Sequence, residues 1–265
     1  MISYLTVTRC RALPICLALL SIALLSSFSW YRQTMNRSDQ SVGRVLIFYK
    51  TSGYYHPSIP AGVAALQRLC ADHNIIADTT IDARYFIDDS LKHYRTVIFL
   101  STTQNILNDT QQAAFERYIR AGGGFVGVHA ATDTEYDWAW YSKLVGARFN
   151  GHPRPQRATL QILDKEHPAT SFLPDRWEFK DEWYNFKDIS PDIKVLANLD
   201  ETSYEGGKNG KNHPIAWYHE FDGGRSFYTG GGHMAETFSD SLFLRHLWGG
   251  IQYAMGEGAP LGQDR

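Results

Sequence analysis

Runs of consecutive apolar residues alternate with amphipathic segments along the first half of the chain beyond residue 43. The apolar runs predict buried strands over residues 44–49, 74–77, 95–100 and 125–128. Between them, apolar positions spaced three and four residues apart predict helices over residues 58–73 and 108–119, with Ser58 and Asn108 as N-terminal caps. Apolar strands that alternate with helices are typical of a parallel sheet covered by helices on both faces.

Beyond residue 150 the pattern changes to short strands separated by turn-rich loops. Residues 158–163 alternate between apolar and polar positions, which predicts a strand with one face toward water. Further elements are predicted as strands over residues 193–199, 214–220 and 225–228 and as a helix over residues 240–255. We therefore expect one α/β domain over residues 44–256, with a mostly parallel sheet and a C-terminal tail at residues 257–265.

The N-terminal segment has the pattern of a targeting signal. Two arginines precede an apolar run at residues 13–28, which is short for a membrane span and suits a secretory signal peptide. Small residues favour cleavage after Ser29, so residues 1–29 are expected to be a signal peptide or, if uncleaved, an N-terminal anchor. Polar residues 30–43 predict a flexible linker. The protein is therefore expected to be exported, either periplasmic or anchored to the membrane and facing outward.

Charge and composition exclude one class of partner and leave another open. The 265-residue chain has a formal net charge of −2 and no long basic run, so a nucleic-acid partner has no electrostatic support. Aromatic residues make up 14% of the chain, and many of them lie in loops with glycine and histidine. Such residues either pack in the core or stack on a ring-shaped ligand such as a sugar.

Cysteine usage argues against thiol chemistry. Of the three cysteines, only Cys70 lies beyond the predicted leader, so the mature part has no internal disulfide. Cys70 falls in the middle of a predicted helix, where a small buried hydrophobic role is expected. A thiol-dependent enzyme is therefore not expected.

Candidate site residues follow the predicted strands. In a parallel sheet, ligands bind beyond the carboxyl ends of the strands. The polar residues at these positions are His56, Thr102, His129, Asp133, His233 and Glu236. A single histidine is usually a core or surface residue, but three histidines at equivalent topological positions predict a shared site.

His129 has the sequence context of a nucleophile elbow. It ends the strand at residues 125–128 and is followed by the small residues Ala130 and Ala131. Small neighbours allow a sharp turn that lifts the elbow side chain above the sheet. A histidine in this place can act as acid, base, metal ligand or hydrogen-bond donor, but it lacks the acyl chemistry of a thiolate.

A second group of candidates lies in the acidic and aromatic segment at residues 177–184. Asp181 and Glu182 are candidate acids or bases, because apolar neighbours raise the pKa of a carboxyl group. A solvated acidic loop is the alternative interpretation. The expected substrate contacts are Tyr55, His56, Thr102, Asp133, His152, Trp183, Tyr184 and Glu236.

Several longer motifs resemble the trehalose-utilisation (ThuA-like) family. They lie at residues 55–62, 122–133, 151–153, 181–184, 213–217, 231–233 and 243–250. The resemblance implies a flavodoxin-like fold of the class I glutamine amidotransferase type, with His129 in the place of the catalytic cysteine. The later His-x-Glu element of amidotransferases is only loosely echoed by His233 and Glu236. The family pattern thus implies the pocket without the amidotransferase mechanism.

The resemblance also implies a role in the catabolism of trehalose and related disaccharides, together with enzymes that oxidise glycosides to 3-keto sugars. Our leading hypothesis is an exported enzyme in which His129 and His233 transfer protons or bind a metal. Asp181 or Glu182 would be their carboxylate partner. His56, His129 and His233 are candidate ligands of a divalent ion, although no closely spaced ligand pair occurs. The alternative is a non-catalytic module that binds a sugar or a partner protein.

Overall fold

A computed structural model of the chain describes residues 43–256, together with Met1. The strands are β1 (Arg44–Phe48), β2 (Ile76–Thr80), β3 (Thr96–Leu100), β4 (Gly124–Val128), β5 (Arg148–Phe149), β6 (Gln156–Ile162), β7 (Arg176–Asp181), β8 (Phe186–Lys187), β9 (Lys194–Leu199), β10 (Pro214–Phe221) and β11 (Gly224–Thr229). The α-helices are α1 (Ile59–Asp72), α2 (Asp88–Leu91), α3 (Asp109–Arg120), α4 (Ala139–Val145) and α5 (Ser241–Met255). Short 3₁₀ turns cover Ala83–Tyr85, His129–Asp133 and Ala235–Ser239.

Nine strands form one sheet, whose parallel and antiparallel halves share β11. The strand order is β2-β1-β3-β4-β11-β10-β9-β6-β7. The pairs from β2 to β11 are parallel, and those from β11 to β7 are antiparallel. The sheet is therefore mixed rather than mostly parallel as the apolar runs predicted. The physical reason is that the strands after β5 are joined by loops, without the crossover helices that parallel neighbours need.

The parallel half is covered on both faces. Every residue of β3 and β4 is buried, which is expected only where helices cover both sides of a sheet. Helices α1 and α5 contact each other and β3, whereas α2 and α3 contact each other. Cys70 is completely buried in α1, as predicted. The helices thus fall into two groups, and loops occupy the carboxyl edge of the strands.

Two local predictions need correction. β2 begins at Ile76 rather than at residue 74, because the amides of Asn74 and Ile75 donate to the last carbonyls of α1. Asn108 caps α3 through a capping box with Gln111, as the sequence suggests. Ser58, in contrast, does not cap α1, because its hydroxyl donates to the carbonyl of Gly232 at 2.8 Å. This bond links the start of α1 to the loop after β11.

The terminal predictions fall outside the part of the chain that the structure describes. The leader at residues 1–29 (apart from Met1), the linker at residues 30–43 (apart from Gly43) and the tail at residues 257–265 stay predictions. Within residues 43–256, no helix has both the length and the apolar character needed to cross a membrane.

Candidate metal centre

Four potential metal ligands meet at the carboxyl edge of the parallel strands. His56 lies in the loop after β1, His129 directly follows β4, and His233 lies in the loop after β11. Glu182 directly follows β7, the outermost strand of the antiparallel half. One ligand atom from each of these residues lies within 4.8 Å of the others. The fold therefore brings together side chains that are far apart in the sequence.

The cluster is compact and largely shielded from solvent. The ring centroids of His56 and His129 are 4.8 Å apart, and each lies 5.3–5.4 Å from the ring of His233. Glu182 Oε2 lies 3.0 Å from His233 Nδ1 and 3.5 Å from His129 Nε2. His56, His129 and Glu182 are buried, and His233 is half-buried. Three imidazole rings and one carboxylate oxygen thus surround a common point.

The elbow at the end of β4 fixes the orientation of His129. Its backbone has φ of 51°, in the left-handed region that costs a residue other than glycine about 1–3 kcal/mol. The hydroxyl of Tyr228 donates to the carbonyl of His129 at 2.7 Å, which helps to hold this conformation. His129 Nδ1 lies 2.9 Å from the carbonyl oxygen of Gly230. Because a carbonyl only accepts, Nδ1 carries the proton and the lone pair of Nε2 faces the cluster.

Three ring nitrogens of the cluster have no hydrogen-bond partner. They are His56 Nδ1, His129 Nε2 and His233 Nδ1, and all three are buried. His233 Nδ1 is close to Glu182 Oε2 but is not aligned with it as in a hydrogen bond. Leaving a buried polar atom unpaired costs about 1–3 kcal/mol, so a group of three requires an explanation. His129 Nε2 and His233 Nδ1 both face Glu182 Oε2, and an ion bound among the four side chains would satisfy these two nitrogens.

The ligand atoms are somewhat farther apart than in a site that holds an ion. Bonds from zinc to nitrogen or oxygen ligands are about 2.0–2.2 Å long, so the ligand atoms of a tetrahedral site are about 3.3–3.6 Å apart. The ligand atoms of the cluster already lie within 4.8 Å of one another. The most widely separated ligand atoms would therefore have to approach each other by about 1 Å to complete a tetrahedral site.

The pKa shifts of two members of the cluster suit a cation, whereas at His233 burial is outweighed by the contact with Glu182, which raises the pKa. Burial, together with the neighbouring imidazoles of His129 and His233, lowers the pKa of His56 to about 3. Burial opposes the ionisation of Glu182, but its contacts with the same two imidazoles lower its pKa to about 2. A neutral imidazole and a charged carboxylate are the forms in which these groups bind metals.

His152 and Tyr184, two of the predicted substrate contacts, border the ligands. His152 Nδ1 lies 2.9 Å from Glu182 Oε1, and its side chain is 39% exposed. The ring of Tyr184 is 4.3 Å from that of His129, and its hydroxyl lies 3.5 Å from His56 Nε2. These two residues therefore form part of the wall between the cluster and the surface.

Asp133 forms a second polar pair beside the cluster. The hydroxyl of Tyr136 donates a hydrogen bond to Asp133 Oδ1. Burial raises the pKa of Asp133, although the bond from Tyr136 and the imidazoles of His129 and His152 oppose the shift. A half-buried carboxyl group with a raised pKa thus lies within electrostatic reach of the cluster.

Sequence reasoning missed Tyr54. Its ring meets that of His56 edge-on at 4.8 Å, and the residue is 59% exposed. The predicted contact Tyr55 is also exposed, but among residues 43–256 its ring contacts no ring of the cluster. The position of Tyr54 two residues before His56 was a usable signal. The sequence could not show which of the two adjacent tyrosines turns toward the histidine.

Three predicted substrate contacts are not brought to the cluster. Trp183 is completely buried, and its indole donates to the carbonyl of Gln156 at 2.8 Å. The buried hydroxyl of Thr102 pairs with that of Thr134. Glu236 is exposed in the 3₁₀ turn after β11. The polar atoms of Trp183 and Thr102 are thus engaged elsewhere, and Glu236 faces solvent.

The two carboxylates predicted as alternatives have different places. Glu182 belongs to the cluster. Asp181 is completely buried, and its oxygens accept hydrogen bonds from residues 232, 233 and 237. Asp181 therefore lies behind the cluster and binds the loop that carries His233, rather than facing a substrate.

Comparison with known proteins identifies the family. The sequence matches the ThuA family, described as trehalose utilisation, over residues 44–254. A ThuA-like protein from Bacteroides uniformis ATCC 8492 is 24% identical with a TM-score of 0.70, and the match covers 82% of this chain and 92% of that one. A ThuA-like protein from Parabacteroides merdae ATCC 43184 is 19% identical with a TM-score of 0.66, and the match covers 84% and 94%.

One more distant match shows how widely the fold is used. A β-galactosidase from Bacillus circulans sp. alkalophilus is 15% identical with a TM-score of 0.54, over 82% of this chain and 32% of that one. No curated protein matches the sequence. The structural matches are below 25% identity and show the fold alone, whereas the family match spans most of the chain. The α/β chain with the His56, His129, Glu182 and His233 cluster therefore belongs to the ThuA family, which is linked to trehalose utilisation.

Proposed function

We propose that this protein is an enzyme that uses a divalent metal ion to act on a carbohydrate. The ligands of the ion would be His56, His129, Glu182 and His233. The observation that carries the proposal is the convergence of one carboxylate with three imidazole rings, each of which has a buried nitrogen without a hydrogen-bond partner. Three imidazoles and one carboxylate suit zinc and other first-row transition ions.

A disaccharide or keto-glycoside is the proposed substrate. The family description, trehalose utilisation, supports this class. The exposed aromatic rings of Tyr54 and Tyr55 give further support, because they precede His56 directly and offer apolar faces on which a sugar ring can stack. His152 would add a hydrogen-bonding group at the same opening.

Removal of a proton next to a sugar ketone is the chemistry that these residues support best. The ion would act as a Lewis acid toward the ketone oxygen. Asp133 would take the proton from the neighbouring carbon, and the electron pair of that C–H bond would move to the ketone oxygen. The pair would then return from the oxygen. Either the same carbon would take up a proton again, or the carbon–oxygen bond on the next carbon would break and release an alkoxide that His152 protonates. Tyr136 would hold the carboxylate of Asp133 in place through its hydrogen bond.

The fold supports a relation to the amidotransferases without their mechanism. The strand order β2-β1-β3-β4-β11 of the parallel half corresponds to the flavodoxin-like order. By the family resemblance, His129 would occupy the elbow where those enzymes carry cysteine. Burial in α1 raises the pKa of Cys70 to about 11, which disfavours the reactive thiolate. We therefore assign the chemistry to the imidazole and carboxylate groups.

The test combines metal analysis with product analysis. The full chain, purified without chelator, would be incubated with trehalose, lactose and their 3-keto forms, and the mixtures followed by mass spectrometry and NMR. We expect product from the metal-loaded protein, loss of activity after chelation, recovery when the ion is restored, and no activity in His129→Ala. Sugar binding without product would favour the non-catalytic module. Absence of both bound metal and product would contradict the proposal.

A further inference from the structure

The carboxylate of Asp181 is bound to both segments that deliver Glu182 and His233. Oδ1 accepts hydrogen bonds from the backbone N–H of Glu182 at 2.8 Å and of His233 at 3.0 Å. Oδ2 accepts from the N–H of Gly232 at 2.9 Å and from the hydroxyl of Thr237 at 2.8 Å. One side chain therefore connects the end of β7 with the loop after β11.

Within the part of the chain that the structure describes, the carboxylate of Asp181 is buried without a positively charged lysine or arginine beside it. The residue is completely buried, and among residues 43–256 its carboxylate forms no ion pair with lysine or arginine. Backbone N–H groups offset part of the cost of burying an anion, but they carry no net charge. A divalent ion held by the adjacent Glu182 and by His233 would supply the missing positive charge.

The loop that carries His233 is fixed on both sides of Gly232. The N–H of Gly232 donates to Asp181, and its carbonyl accepts from Ser58 at 2.8 Å. Gly232 has φ of 121°, a conformation that residues with a side chain rarely adopt. Backbone bonds of this kind can hold His233 near the position it needs before any ion binds.

We propose that Asp181 is the positioning residue of the metal centre. It sets the separation of Glu182 from His233 and supplies a second layer of negative charge to the ion, without contacting ion or substrate. Groups that orient metal ligands in this way typically change metal affinity by about 10–100-fold when they are removed. The inference rests on the proposed metal-dependent function and adds a role that the ligand set alone does not contain.

The test is Asp181→Asn in the full chain. Asparagine keeps the size of the side chain, removes the charge, and replaces one acceptor oxygen by an NH₂ group that would face donors. We expect one ion per chain to bind about 10–100-fold more weakly, measured with zinc in competition with a chromophoric chelator. In the metal-free protein, amide exchange at Gly232 and His233 should become faster.

Glu135→Gln is the matched control. Glu135 is another buried carboxylate, and it accepts hydrogen bonds from the backbone N–H groups of Ile106 and Leu107 and from Gln112. Ile106 and Leu107 lie in the loop after β3 and Gln112 lies in α3, so none of these partners belongs to a segment that carries a metal ligand. The control should lose stability but keep its zinc affinity within about two-fold, because among the described residues Glu135 shares no hydrogen-bond partner with Asp181 or the four ligands.

Two variants of Thr237 separate the effect of its hydrogen bond to Asp181 from the effect of its side-chain shape. Thr237→Ser keeps the hydroxyl that donates to Asp181, whereas Thr237→Val keeps the branched shape and removes it. We expect the serine variant to bind zinc like the parent and the valine variant to bind it less tightly. Equal affinities of the two variants would argue against a positioning network.

Three outcomes separate the inference from the function on which it rests. If the parent binds one zinc ion and Asp181→Asn binds it equally well, the positioning role is overturned while the proposed function stands. If Asp181→Asn and Glu135→Gln weaken binding to the same extent, the effect is one of general stability, and the positioning role is again overturned. If the parent binds no metal ion at all, both ideas fail.

Discussion

Two groups of buried histidines differ in what faces their unpartnered nitrogens. In the metal centre, His129 and His233 both approach the carboxylate of Glu182. In the second group, His167 and His246 both contact Ala169: His246 Nδ1 donates to its carbonyl, and His167 Nδ1 accepts from its N–H. The Nε2 atoms of this second pair are also buried without a partner.

The difference shows which property identifies a site. The ring of His167 packs against Tyr218 and Phe227, and that of His246 against Trp177 and Phe227. Within the described residues, neither imidazole of this second pair is in an ion pair with a carboxylate, and neither belongs to a metal-binding group. Burial alone therefore does not distinguish the candidate site, whereas the convergence of several imidazoles on one carboxylate does.

The largest expected effect comes from removing one ligand. His129→Ala should weaken metal binding by more than about 100-fold, beyond the range of changes in outer-shell residues. His246→Ala is the matched control, because it removes a buried imidazole of the second group. It should lower the free energy of unfolding but keep one ion per chain, as measured by zinc titration. Loss of the ion in His246→Ala, or its retention in His129→Ala, would contradict the distinction between the two groups of histidines.

The second group should make stability depend on pH. Burial lowers the pKa of His167 and of His246 to about 4, opposed in part by Asp164 for His167 and by the carbonyl of Ala169 for His246. Both groups take up protons more readily when unfolded. The free energy of unfolding is therefore unaffected by the ionisation of these two histidines above about pH 6.5. It falls as the pH is lowered toward about 4, by up to about 3 kcal/mol for each histidine.

Urea unfolding of metal-free protein at several pH values measures this loss. His246→Asn should unfold with a shallower dependence on pH between 6.5 and 4 than the parent, because one of the two histidines no longer titrates. His56, whose pKa is also lowered, is present in both proteins and does not affect the comparison. Identical pH profiles for the two proteins would show that His246 is not buried as a neutral group.

A smaller effect is expected at the edge of the metal centre. His152→Ala removes the ring that contacts Glu182 Oε1, so metal affinity should fall by up to about 10-fold, the lower end for outer-shell groups. Because the side chain is partly exposed, the free energy of unfolding should change by less than about 0.5 kcal/mol. Metal titration and urea unfolding of the same samples check both statements. A loss as large as that of His129→Ala would make His152 a ligand.

The smallest effect concerns the sugar. Tyr54→Ala should weaken trehalose binding by about 2–10-fold, as expected for one lost aromatic contact, and leave metal affinity unchanged. Tyr85→Ala is the control, because Tyr85 is a comparably exposed tyrosine (42%) in the turn after β2. Calorimetry with metal-loaded protein measures both variants. Equal affinities for trehalose would remove Tyr54 from the proposed binding surface.

The fold could be predicted best where strands consist of apolar residues. β3 was expected at residues 95–100 and lies at Thr96–Leu100, because a strand buried on both faces is apolar throughout. β7 was not recognised as a strand. Its residues alternate, with Trp177 buried and Glu178 and Lys180 exposed, and the short acidic and aromatic segment resembled a loop. The mixed character of the sheet was not predicted for the same reason: short alternating strands give a weak sequence signal.

The part of the site that follows the parallel strands could be predicted from the sequence. His56, His129 and His233 follow parallel strands, and the rule for carboxyl ends brought them together. Glu182 follows a strand of the antiparallel half, where that rule does not apply. The choice between Asp181 and Glu182 depends on the loop after β11, whose N–H groups need an acceptor, and no local pattern in the sequence contains that information.

The most direct test of the central claim is anomalous diffraction from crystals grown with zinc. The account predicts one strong peak per chain, with the four ligand atoms of His56, His129, Glu182 and His233 at about 2.0–2.2 Å. A peak elsewhere on the chain, or none at all while these side chains remain together, would contradict it.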